Sequence, residues 1–288
     1  MDMATTTHAG IGASTPASRV ARRIIYRTAG GTRGGITRLA SPGDLGQLIK
    51  PFVFLDRFAF SGHGGDMGMH PHSGIATVTV VMEGAVSYRE TTGNAGVLPA
   101  GGVEWMNAGG GVWHGGGIAG DAPVRGFQLW LALPPEDENG PAHSRYLAPH
   151  EAPRSGPARV VIGAYGGVRS PIATRAPINY LHVQLEDGER WTYTPPPGHD
   201  LAWVAPVRGV LLAGAEAIGP EIAVFEEGDG ALAFMARGVT EFVLGSAARH
   251  PHELVTGTYS VHTSQAALDR GEREIARIGA HLRAIGQI

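Results

Sequence analysis

From Arg19 onward the chain alternates short apolar runs with clusters of turn-forming residues. Residues 75–82 are mostly β-branched, which favours extended backbone, and Glu83-Gly84 after them predicts a turn. Val86, Ser87 and Tyr88 then form the returning partner, and residues 91–94 the next turn. Residues 97–102 predict a strand ending in a turn, and residues 127–133 a further strand. Residues 134–141 are acidic and rich in proline, and predict a long loop. Strand patterns resume at residues 159–163, 180–185 and 241–245. Short strands at this spacing predict an all-β fold of barrels or sandwiches. At the C-terminus the period changes. Leu268, Ile275, Ile278, Leu282 and Ile285 recur at helical spacing, predicting an amphipathic helix over residues 264–285. Thr263 or Ser264 is its candidate N-cap, and its apolar stripe packs on a barrel.

The small, polar residues 1–18 predict a flexible arm. The rest divides into an N-terminal barrel, residues 19–140, and a C-terminal barrel, residues 141–288. A weak internal repeat supports the division. Residues 83–86 resemble 208–211, and each segment is followed 17 to 19 residues later by a glycine-rich turn.

Composition narrows the function classes. Glycine (44) and proline (20) are abundant in the 288 residues, in keeping with many turns. The net charge of −3 argues against a basic nucleic-acid binder. Without cysteine there is no disulfide, thiolate nucleophile, Cys-ligated zinc or iron–sulfur cluster. No apolar run reaches the roughly 20 residues of a membrane helix, so a cytoplasmic protein is expected. The pattern Gly-x-Ser-x-Gly does not occur, so His114 to Gly117 is not read as an esterase oxyanion loop. The single lysine, Lys50, follows Ile49, which excludes a Walker A phosphate loop.

Of the 13 histidines, one group carries a chemical signal. In His70-Pro71-His72 the two imidazoles sit at i and i+2, so an extended backbone aims both to one side. Gly64, Gly65 and Gly68 upstream let the chain turn into that strand. His114, after Gly109 to Gly111, can enter from a neighbouring strand. Three imidazoles make half of an octahedral shell, suited to Fe(II), Mn(II), Ni(II), Cu(II) or Zn(II) with positions open for oxygen or substrate. His250-Pro251-His252 repeats the tripeptide without a third histidine and is read as a surface loop.

The ordered string over residues 51–114 resembles the pirin family. It comprises Pro51 to Phe58, His70 to Gly74, Thr77 to Gly84, Gly93 to Val97, Glu104 to Gly109 and Gly111 to His114. Ser260 to Ser264 sits where pirins enter their last helix. The resemblance implies a bicupin: two antiparallel, jelly-roll-like β-barrels with Fe(II), or another divalent transition metal, in the first. It implies three histidine ligands, matched by His70, His72 and His114, and one glutamate. The glutamate position falls at Gly116, and a second familiar carboxylate position falls at Ala76. Both carboxylates are absent, and Glu104 or Asp66 is the candidate substitute, Glu104 the better placed. In the second half the offsets of the metal histidines land on Pro195 and Pro197, with His199 alone nearby, so that barrel carries no metal. The implied activity is that of a quercetin 2,3-dioxygenase-like oxidoreductase acting on a small aromatic or flavonol-like substrate, with Trp105, Met106 and Trp113 as pocket walls or core. The alternative is a non-catalytic, metal- or redox-dependent regulator with a protein partner. Neither reading involves nucleic acid or a membrane.

Overall fold

The computed structural model describes residues 22–61 and 67–288. The predicted arm, and Gly64, Gly65 and Asp66, lie outside the described residues. In chain order the first strands are β1 (Ile24–Thr28), β2 (Gly31–Arg33), β3 (Ile36–Ala40), β4 (Phe52–Phe60), β5 (Met67–His72), β6 (Ile75–Glu83), β7 (Ala85–Glu90), β8 (Ala95–Pro99), β9 (Val103–Asn107), β10 (Val112–Ile118), β11 (Val124–Ala132) and β12 (His143–Leu147). Strands β2 to β12 form a seven-stranded antiparallel sheet, ordered β12-β9-β6-β11-β4-β3-β2, and a four-stranded one, β5-β10-β7-β8.

The period of two assigns the faces of the larger sheet. Ala76 and Val78 of β6, Val103 and Trp105 of β9, and Phe127 and Leu129 of β11 enter one apolar core. That core continues into Ile178, Tyr180, Trp203 and Val243 of the C-terminal half, so the two halves pack sheet on sheet. The intervening residues, among them Thr79, Glu104 and Gln128, face the four-stranded sheet across a pocket. The site therefore lies between the two sheets of the N-terminal half.

The C-terminal half is a nine-stranded antiparallel sheet. Its long strands Leu201–Ala213 and Leu232–Ala247 pair with each other throughout, with register shifts on either side of Arg208. They curl the sheet around a second core containing Trp191, Tyr193, Phe225, Phe234 and Phe242. Sheet pairing does not follow the expected division at residue 140. Strand β1 pairs with Ile222–Phe225 of the C-terminal sheet, whereas β12 pairs with β9. The expectation of closed barrels is also corrected. Each sheet ends at edges that do not pair with one another, so the fold is one of curved, stacked sheets.

Two helices complete the described residues, α1 (Leu45–Leu48) and α2 (Gln265–Ala284). Helix α2 starts where predicted, with Ser264 Oγ accepting from the Ala267 amide at 3.2 Å. Leu268, Ile275 and Leu282 are buried, but Ile285 is exposed at the C-cap and lies off the packed stripe. The helix rests on β10, where Gly279 leaves room for the Trp113 indole, whose Nε1 donates to Ile275 O at 2.8 Å. No helix among the described residues is long and apolar enough to cross a membrane.

Candidate metal centre

Strands β5 and β10 are antiparallel neighbours with His70 opposite His114 and His72 opposite Val112. The pleat turns His70 and His72 to the same side, and the register sets His114 against them. One ligand atom from each lies within 4.8 Å of the others, and His72 and His114 are buried. Ring centroids are 4.4 Å apart for His70–His114 and 5.1 Å for each remaining pair. Among the described residues this is the one group of three or more candidate metal ligands.

The outer nitrogens set the tautomers. His70 Nδ1 lies 2.9 Å from Gly68 O, and His72 Nδ1 lies 3.0 Å from Tyr259 O. A carbonyl can only accept, so both Nδ1 atoms are protonated and both Nε2 atoms carry a lone pair. His114 Nδ1 stands 3.8 Å from Glu104 Oε1, and its Nε2 is buried without a hydrogen-bond partner. An orphaned buried acceptor is costly, and a metal ion removes that cost. The donor set therefore fits a divalent transition metal held by three Nε2 atoms.

Burial, then the neighbouring His114, pushes the His70 imidazole down to about 4, and the same causes hold His72 well below 6.5. Both are neutral, as ligation requires, at neutral pH. The sign for stability follows. An unfolded histidine takes up its proton below about 6.5 while folded, metal-free His70 refuses it until about 4, so stability falls across that window as pH drops. Urea midpoints of metal-free protein between pH 7 and pH 4 measure this, and a midpoint rising toward acid contradicts it.

The missing glutamate has a geometric counterpart. A Cβ at Gly116 would lie 2.0 Å from Ser87 O, because β10 shifts register against β5 between His114 and Gly116 while staying paired to β7. Ala76 points the other way, into the core between the large sheets. Glu104, on the inward face of β9, is the carboxylate brought beside the histidines. Burial works to raise it, but His114 and the hydroxyls of Thr79 and Tyr146 outweigh burial and hold it below the ordinary carboxylate range. Its Oε2 accepts from Thr79 Oγ1, and its Oε1 is 3.5 Å from Tyr146 OH. Tyr146 OH donates to Glu90 Oε1 at 3.2 Å, and Ser144 Oγ donates to Glu90 Oε2 at 2.6 Å.

Two hollows flank His70. One, of about 60 Å³, is walled by Phe58, Tyr88, Leu98, Glu104, His114 and Tyr146, with Tyr88 and Tyr146 stacked at 3.7 Å. The other, of about 300 Å³, is walled by Arg38, Phe54, Asp56, His72, Trp130 and Tyr259, with Phe54 and Trp130 stacked at 4.1 Å. Trp105, Met106 and Trp113 wall neither of these hollows, and their core alternative is the one the packing matches. Trp105 joins the core between the halves, Met106 packs with Ala108 and Val112, and Trp113 binds helix α2. His250 corrects the surface-loop reading. It is buried, with its amide donating to Lys50 O, while its partner His252 is exposed. His199 is held by Ser246 Oγ at 2.9 Å inside the C-terminal half. Sequence reasoning missed β12, which carries Ser144 and Tyr146, because its alternation is too polar to read as a strand. It also missed the Tyr259 carbonyl, because a backbone acceptor has no sequence signature.

The family model described as Pirin matches residues 36–131. A protein of Pseudomonas aeruginosa, provisionally named a quercetin 2,3-dioxygenase, is 33% identical over 204 residues, covering 64% of this chain and 69% of that protein. Pirin-1 of Arabidopsis thaliana is 32% identical over 168 residues, covering 57% of this chain and 56% of that protein. A solved quercetin 2,3-dioxygenase from Acinetobacter baumannii matches with TM-score 0.82 over 90% of this chain and 98% of its own, at 22% identity, which is a likeness of fold.

Proposed function

Since the chain belongs to the pirin family, we propose that it is a metal-dependent dioxygenase of the quercetin 2,3-dioxygenase type, built as a bicupin with its metal in the first unit. The observation that carries this reading is the convergence of three imidazoles, two with Nδ1 tied to a carbonyl and the third with an orphaned Nε2. His70, His72 and His114 would hold the metal, Fe(II) being the one the family resemblance implies. When bound, it supplies Lewis-acid chemistry and an electron relay between an oxygen-coordinated substrate and dioxygen.

The chain's own residues supply the rest. Phe54, Trp130 and Tyr259 offer flat apolar walls to a small aromatic, flavonol-like substrate. Apolar surfaces around the histidines exclude bulk water and strengthen the electrostatics of the site. Glu104, facing the smaller hollow, places a negative charge beside the three imidazoles. Its proximity to His114 Nδ1 also favours the tautomer that leaves Nε2 free. Glu104→Gln should therefore weaken metal binding by about tenfold, read by competition titration with Ni(II). An unchanged affinity would remove Glu104 from this role.

The absent carboxylate at Gly116 favours one second reading, a metal- or redox-dependent regulatory protein without catalysis. Oxygen consumption by iron-loaded and copper-loaded protein with a flavonol separates the two. Consumption above that of the free metal supports the enzyme. Stoichiometric metal without consumption supports the regulator.

A further inference from the structure

The His72 ring takes its polar anchor from a part of the chain far from its own sheet. The acceptor for its Nδ1 is the carbonyl of Tyr259, 187 residues away. The next residue, Ser73, ties the same segment down. Ser73 Oγ is hydrogen-bonded to Ser260 Oγ at 2.8 Å and to His262 Nε2 at 3.0 Å, and Ser73 O accepts from the Val261 amide at 3.3 Å. His262 Nδ1 lies 3.3 Å from Glu138 Oε2, and Glu138 also accepts from the Thr263 amide and hydroxyl at 2.6 and 2.8 Å. Ser73, Glu138, Ser260 and His262 are each no more than 2% exposed. Two glycines allow the approach. A Cβ at Gly74 would sit 2.1 Å from Val261 O, and one at Gly271 of α2 would sit 2.4 Å from Ser73 Oγ.

A buried Ser–His–Glu arrangement is the form of a hydrolytic triad, but here every member is sealed from solvent and α2 lies on the serine. Its geometric result is to fix the backbone at Tyr259, and so the tautomer and direction of His72. We propose that residues 259–262 form a clamp that completes the metal centre, with Ser73, Glu138 and His262 as its positioning residues. The proposal rests on the three-histidine reading above. Because the clamp favours the ligating form of His72, metal binding must in turn favour the seated clamp.

Two measurements on the full chain test it, with Ni(II) alone as probe. Hydrogen exchange of the backbone over residues 257–263 should slow on Ni(II) binding, a readout that a purely structural segment would not give. Ser73→Ala and Glu138→Gln should each weaken Ni(II) affinity by about tenfold at unchanged far-UV circular dichroism. Arg277→Ala should leave affinity unchanged, because Arg277 pairs with Glu274 on the exposed side of α2 and is bonded to no clamp residue. Metal-independent exchange, or equal losses in all three variants, would overturn the clamp while leaving the three-histidine site standing. Failure of the wild-type chain to take up Ni(II) would overturn both.

Discussion

His114→Ala should cost more than about a hundredfold in metal affinity, and the metal should be lost on dialysis. The bound comes from chemistry. Removing a group that merely orients a ligand costs roughly 10–100-fold, and removing the ligand itself costs more. His114 is the informative choice because it is the only one of the three carried by β10. Its Nε2 is buried without a protein partner, so its replacement breaks no protein hydrogen bond made by that atom. What remains, His70 and His72 on one strand, is a two-ligand site. Elemental analysis after dialysis, with competition titration, gives the result directly. One metal per chain at wild-type affinity would show that the ion is held elsewhere.

Gly116→Glu should fail to repair the site and should destabilise the protein by about 3 kcal/mol. The obvious engineering step is to return the carboxylate that the family resemblance places there. The obstacle is the Ser87 carbonyl, 2.0 Å from where the Cβ would go. That oxygen belongs to backbone in β7, paired to β10 from Glu90 to Val86, so it cannot swing aside like a side-chain tip. Accommodating the new atom means parting the two strands, which also moves His114. The measurement is the urea midpoint at constant slope, together with Ni(II) affinity. A variant as stable as wild type that binds metal more tightly would show that the sheet yields easily. The clash gives a physical account of the departure: β10 lies too close to β7 for any side chain at this position.

How far the site could be read in advance depended on distance along the chain. His-x-His aims two rings together by the strand period alone, and His114 after its glycine turn needed only one neighbouring strand. Those inferences are local. Of the two readings of Trp105, Met106 and Trp113, wall or core, the same period favours core for the tryptophans. Glu104 and Trp105 are consecutive on β9, as Trp113 and His114 are on β10, so each pair points to opposite faces. Choosing Glu104 and His114 for the site already excludes both tryptophans. Met106 shares the Glu104 face but packs further along, against Val112. The true walls, such as Tyr146 and Trp130, depend on which strands become neighbours, and no local pattern carries that. The seat of Tyr259 against His72 is longer in range still. The helix was legible to within one residue at each end, because capping and an amphipathic stripe are both local.

The exchange of edges between the halves makes each depend on the other. Strand β1 completes the C-terminal sheet, and β12, beyond the acidic loop, completes the sheet that carries Glu104. Neither half therefore closes its own sheet edge: each borrows a strand from the other side of the acidic loop. A change that loosens one half would thus be felt at an edge of the other, and the C-terminal half serves the histidines as scaffold.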